Sequence, residues 1–282
     1  MSYTNYSTRT LPFPIRYVVD VARYRHLAWN LVGSDLRSRF RRSRLGIMWA
    51  VLQPLGFSLI IAMVWSQVFQ SQSFMEFTIY VYSGMLVWEY FSSGVLVSLD
   101  TLLNSRGYLK QARIPFLIFQ MRVPLSGLVI LLFGMVGLVG LMALVRSLPP
   151  IGLHLLLIPL FFLMLLAFII PISIISSIIG PTFRDARHII GLALQALFFL
   201  SPVMLDRAIL HAPELAFMQY INPMISLLDL FRDPLLNGLF WERQDVIIWA
   251  AWTGSLWFIA FFSAIRNDGR SPIANARLRY RP

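Results

Sequence analysis

LHLLLIPLFFLMLLAFIIPISIISSIIG, residues 153–180, runs for 28 residues without one Asp, Glu, Lys or Arg. A helix rises about 1.5 Å per residue and bilayer hydrocarbon is about 30 Å thick, so roughly 20 such residues suffice to cross. Inside lipid, only a helix or a closed barrel satisfies its own backbone. The run is continuously apolar over more than that length and therefore reads as a membrane-spanning helix. It is longer than the minimum and carries Pro159 and Pro171, which predict a tilt or a kink.

Five further stretches read the same way. With the first they give spans at about 46–69, 78–99, 124–145, 153–180, 188–205 and 246–265. The fifth is barely long enough and ends at Ser201-Pro202. The fold class is thus an all-α integral membrane protein of six transmembrane helices. The arginines orient it. Residues 1–45 hold 9 Arg, and of the 24 Lys+Arg in the chain 20 fall before the first span, in 100–122, in 181–188 or after Ser263. The remaining 4 (Arg146, Arg207, Arg232, Arg243) share the alternate connections with 7 acids. By the positive-inside rule, both termini face the cytoplasm. The net charge of +11 is accordingly topological, with no nucleic-acid partner implied.

Composition agrees, because 57% hydrophobic and 13% charged is unlike a soluble globule, in which about 25% of residues are charged. Zero cysteine excludes thiol catalysis, thiolate metal sites and disulfides. Residues 1–45 lack the apolar core and cleavage site of a signal peptide, so the first span is expected to be an uncleaved anchor; no lipidation motif is seen at either end.

Three polar or mixed regions flank the spans. In the N-terminal segment 1–45, Tyr17, Val21, Tyr24, Ala28 and Leu31 form an apolar stripe, and Arg23, His26, Asn30, Ser34, Arg37, Arg41 and Arg44 follow another face. That pattern predicts an amphipathic helix in the headgroup plane, a cytosolic helix packed on a partner being the alternative. In the cytoplasmic connection 100–115, Leu102, Leu103 and Leu109 predict a short amphipathic helix. The outer connection 206–245 is strangely apolar, with Ile225, Leu228, Phe231 and Leu235 at helical spacing opposite Asp229 and Asp233. Too short to span, it is expected to dip back into the membrane or pack over a cavity, broken into short re-entrant helices at Asn222-Pro223 and Asp233-Pro234. A basic tail, 266–282, closes the chain beyond the 46–265 transmembrane domain.

Little in the sequence points to chemistry. The 4 histidines (His26, His154, His188, His211) form no ligand-like constellation. Lys110, the only lysine, lacks the glycines and Ser/Thr of a phosphate loop, so no ATP site is expected in this chain. Glu89 is the one acid well inside a predicted span; it lines a wet pathway or bonds another span. Trp65, Phe69, Phe74, Tyr80, Tyr82, Trp88, Tyr90 and Phe91 cluster near the outer ends of the first two spans, where most are expected to be belt residues. A minority of such rings can stack on sugar, and Trp65, Phe69, Tyr82, Trp88, Glu89 and Phe198 are the candidates for a substrate path.

Four stretches in order carry a resemblance: Arg42-Ser43-Arg44-Leu45-Gly46-Ile47-Met48-Trp49 with Leu52-Gln53-Pro54-Leu55; Ser83-Gly84-Met85-Leu86-Val87-Trp88; Arg184-Asp185 with Gln195 and Phe198-Phe199-Leu200-Ser201-Pro202-Val203; and Asn222-Pro223-Met224 with Arg232 and Gly238. Together, over about 35–265, they resemble the membrane (permease) subunits of bacterial ABC-type polysaccharide exporters, which move O-antigen, capsule or teichoic-acid chains. Glu89, Pro234 and the basic tail depart from that pattern. The resemblance implies a homodimer in the inner membrane that carries a lipid-linked glycan and contacts membrane lipids. It implies two copies of a separate ATPase subunit, which bind ATP and Mg, and no cofactor in this chain. Asp100, Asn104, Arg106, Tyr108, Leu109, Lys110 and Arg113 then belong to an ATPase-coupling loop, and Arg23, Arg37, Arg41 and Arg44 to an interfacial gate helix. Two other readings compete: an exporter of a small amphiphile or drug, and an intramembrane transferase acting on polyprenyl-linked sugars. The transferase would use Arg184-Asp185-x-Arg187-His188, which reads equally as a charged cytoplasmic turn.

Overall fold

Every regular element among the described residues is helical, as a backbone without water to bond requires. The computed structural model describes residues 25–41, 43–65, 73–104, 116–149, 151–183, 185–204 and 217–268. Helix α1 (Arg25–Phe40) precedes a 3-10 turn (Gly46–Met48) that runs into α2 (Trp49–Trp65). Then come α3 (Phe74–Asn104), α4 (Phe116–Val145), a second 3-10 turn (Leu153–Leu156) continuous with α5 (Leu157–Thr182), and α6 (Ala186–Leu200). A single turn (Met218–Ile221) leads to α7 (Pro223–Arg232) and its π-helical extension (Asp233–Asn237), and α8 (Arg243–Asp268) closes the fold.

Among the described residues, four segments are long and apolar enough to cross a membrane: Gly46–Trp65, Ile118–Val145, Leu153–Thr182 and Arg243–Ser263. The other two expected spans differ in kind. Helix α3 has 31 residues but mixes Ser83, Glu89, Ser92, Ser93 and Ser98 among its apolar side chains. It tolerates them because it is the hub, packed most extensively on α5, then α4 and α2, with nearly every side chain from Phe77 to Phe91 buried. Helix α6 is apolar but has only 15 residues, about 22 Å long at the usual rise.

Prolines mark the joints between helices. Pro171 does not interrupt α5; the carbonyl it frees four residues back, that of Ala167, accepts the Trp257 indole N–H of α8 at 2.9 Å. Pro124 in α4 likewise frees the Gln120 carbonyl, which accepts the Ser173 hydroxyl of α5 at 3.0 Å. Ser173 and Ser98 of α3 lie 2.7 Å apart, and the Gln120 amide donates to Ser177 at 2.7 Å. A buried polar seam thus joins α3, α4 and α5. Beside it Gly180 lies so close to the Leu99 carbonyl that any Cβ would overlap it.

Three expectations change. Residues 224–232 are buried without exception, so the apolar stripe of α7 has no free face, and Asp229 is enclosed with it. Asp233-Pro234 does not break the helix, because wider π-helical spacing accommodates the missing N–H and left-handed Gly238 (φ 66°) ends the turn. Tyr82, Trp88, Tyr90 and Phe91 are core residues and not belt anchors. The Tyr82 and Tyr90 hydroxyls donate to the Gly134 and Pro124 carbonyls at 3.1 and 3.2 Å.

Candidate functional site

The two ends of the helical bundle are built from different chemistry. At the arginine-rich end, α1 lays Ala28 and Leu31 onto Ile118 and Phe119 of α4, so its described apolar stripe covers the protein itself. Arg122 Nε stands 3.2 Å from Asp35 Oδ2 and fixes the crossing. Burial pushes the Asp35 carboxyl above its ordinary range, and the Arg122 guanidinium opposes that shift. The C-terminal part of α1 brings Arg39 to a small cavity of about 20 Å³, room for a water, that also exposes Glu89, Tyr90 and Ser93 of α3. Glu89 stands at the midpoint of α3, and the Gln53 amide of α2 donates to it at 3.4 Å. Sequence reading found Glu89 but gave Arg39 no role, since the contact spans 50 residues and two turns of chain direction.

Lower on α3, Asp100 pairs with Arg187 of α6, and the same guanidinium donates to the Leu96 carbonyl at 3.2 Å. Asp100 and Asn104 therefore sit on the last helical turns of α3 and not in a loop. In the cluster weighed above for transferase chemistry, Arg187 is occupied by Asp100, while Asp185 and His188 are exposed.

At the far end a single buried side chain organises the structure. Arg232, 3% exposed, donates from Nη1 to the Pro202 carbonyl (2.6 Å) and from Nη2 to the Tyr80 and Val203 carbonyls (3.0 and 2.9 Å). Its Nε donates to Ser83 Oγ at 3.2 Å, and its guanidinium carbon lies 3.7 Å above the Tyr80 ring. Gly84 is required here, because a Cβ would overlap Nη2 and crowd the Val203 carbonyl. Asn222 adds a second clip: its amide donates to Ser201 Oγ (2.9 Å) and the Leu200 carbonyl (3.2 Å), and its oxygen caps α7 through Met224 N–H (3.0 Å). Ser83-Gly84, Ser201-Pro202-Val203, Asn222-Pro223 and Arg232, which come from three of the four motif stretches, thus meet in one knot. Their common function was invisible in sequence because α3 and α7 are about 150 residues apart.

The remaining candidates are scattered. Trp65 ends α2, half-buried against the core; Tyr82 is fully buried; Trp88 packs between Phe91 and Phe198, with ring centroids at 5.7 and 5.3 Å. Arg37, Arg41 and Arg44 are exposed around the end of α1. Arg23, Phe69, Arg106, Tyr108, Leu109, Lys110 and Arg113 lie outside the described residues, as do Arg184 and His211. His154 is buried, edge-on to Phe240. Among the described residues no three His, Asp or Glu side chains are grouped as metal ligands. What the arrangement offers is mechanical: a rigid far end, a polar cavity at mid-helix, and an ionic, solvated near end.

Comparison with known proteins bears on what such a machine does. A family model described as ABC-2 type transporter matches residues 26–236. The chain is 27% identical over 231 residues to the O-antigen export system permease protein RfbA of Myxococcus xanthus, covering 82% of this chain and 86% of that one. It is 25% identical over 213 residues to RfbA of Klebsiella pneumoniae (74% and 79%). Against the polysialic acid transport protein KpsM of Escherichia coli it is 23% identical over 228 residues (78% and 84%).

Proposed function

The chain belongs to the ABC-2 type transporter family, and on that premise we propose that it is the membrane permease subunit of an ATP-driven exporter that moves a lipid-linked polysaccharide across a bacterial inner membrane. The observation that carries the reading is the likeness to O-antigen export permeases along most of both chains. Six spans would cross the membrane, α3 shielded by its neighbours and α6 with a thinner hydrocarbon path, and the arginine-rich end would face the cytoplasm. Two copies would enclose the pathway. A separate ATPase subunit, bound to each, would hold ATP and Mg and supply the energy, while this chain supplies the two-state channel.

Within that frame, Arg106, Tyr108, Leu109, Lys110 and Arg113 dock the ATPase, and the last turns of α3, with Asp100 and Asn104, receive its motion. Helix α1 is the gate helix, with Arg37, Arg41 and Arg44 at the headgroups and Arg39 facing Glu89. Trp65, Glu89 and Phe198 border the path, and α7 shapes the exit.

The test is deletion of the gene followed by assay of surface polysaccharide. Loss of surface glycan with lipid-linked glycan accumulating inside, restored by the intact chain, supports the reading. Unchanged surface glycan together with altered sensitivity to amphiphilic drugs would replace it with a small-molecule exporter.

A further inference from the structure

Helix α6 is the most thinly held helix of the bundle. Only Ala186 and Leu194 are buried along its 15 residues, and it packs chiefly on α3 and less on α5, while Ile189, Leu192, Phe199 and Leu200 are exposed. Each end is instead tied by an arginine. At the far end, Pro202 and Val203, immediately after α6, are held through their carbonyls by Arg232. At the near end Arg187, on the first turn of α6, grips the last turns of α3 through Asp100 and the Leu96 carbonyl. The far tie is buried and multiply bonded, which makes it fixed. The near tie is a half-exposed ion pair, strong enough to set direction and too weak to contribute much to folding.

We infer that Arg187 is a positioning residue of transport: through Asp100 it makes the start of α6 follow the end of α3, so that α6 swings as a lever about the Arg232 knot. The inference rests on the permease reading above, in which force arrives at the end of α3. The start of α6 is also held by its short connection to α5 and by packing on α3, and to these the ion pair adds a direct polar link through which displacement of the end of α3 reaches the first turn of α6.

The test exploits the absence of cysteine. Spin labels at Asn104→Cys and Ile189→Cys report the separation of α3 and α6 in the purified chain alone. The Arg187→Gln change should broaden that distance distribution while leaving thermal stability unchanged. In the complex with its ATPase, Arg187→Gln should lower export about fivefold, at the low end of the range of coupling between sites, with the ATPase still bound and still hydrolysing ATP. The exchange Asp100→Arg with Arg187→Asp should restore a substantial part of that loss, though not all, since an aspartate cannot donate to the Leu96 carbonyl. An unchanged distance distribution, or export by Arg187→Gln within about twofold of the parent, as expected of an ordinary surface pair, would overturn the inference. So would an exchanged pair no better than the single variant. Failure of the parent chain to bind any ATPase would sink the permease reading instead, and the label distance on the chain alone would still decide the tie.

Discussion

Arg187 and Arg232 hold opposite ends of one helix, and they do it in opposite ways. Arg232 is buried and bonds three backbone carbonyls, a serine hydroxyl and the face of Tyr80. Arg187 is half-exposed and meets one carboxylate and one carbonyl. A guanidinium removed from water survives only when nearly all its donors are engaged, so the far end is specified as a single geometry. A solvated pair tolerates rearrangement at little cost. The contrast teaches that the two ends of α6 are held differently, the far one in a fixed buried knot and the near one by a solvated pair that can rearrange.

The sharpest way to break that comparison is to truncate each arginine. Arg232→Ala strands buried carbonyls and Ser83, and should cost about 3–5 kcal/mol, enough to abolish a monodisperse protein in detergent chromatography. Arg232→Lys should fail to rescue it, because an ammonium cannot bridge acceptors on α3 and beyond α6 in one plane. A folded, stable Arg232→Ala protein would show that the knot is incidental. Gly84→Ala pushes a methyl into the same guanidinium and should cost about 1–3 kcal/mol, read as a lowered melting temperature. Trp257→Phe removes the donor to the Ala167 carbonyl and should cost about 1 kcal/mol by the same assay, a test of whether proline joints matter as much as arginine ones. Smallest of all is the effect of salt. Raising ionic strength should loosen the Asp100–Arg187 and Asp35–Arg122 contacts, seen as faster hydrogen exchange in α1 and at the start of α6, and leave the Arg232 region unmoved.

Sequence legibility followed the same division. The apolar runs read at 46–69, 124–145, 153–180 and 246–265 announced themselves by length alone and correspond to Gly46–Trp65, Ile118–Val145, Leu153–Thr182 and Arg243–Ser263 in the structure, and the boundary at Asn222-Pro223 was visible from its proline. Residues 25–40 were legible as a helix, but not the partner of its stripe, because an apolar face looks the same whether lipid or Phe119 covers it. Tyr82 and Tyr90 were misread as belt residues for a related reason: a ring with a polar tip suits a headgroup or a freed carbonyl equally well. Pro234 looked like a helix breaker because the residue before a proline usually avoids helical angles; a π turn was the exception no local signal foretold. The four motif stretches gave the family, while their convergence on Arg232 is a property of chain folding, with partners about 30 and 150 residues away.

The claim on which everything depends is that this chain works as one half of an ATP-driven exporter. The most direct measurement is the native mass of the tagged chain, co-expressed with its genomic neighbours and purified in mild detergent. The account predicts two copies of this chain with two copies of an ATPase. A chain that purifies without any ATPase across several mild detergents would contradict it.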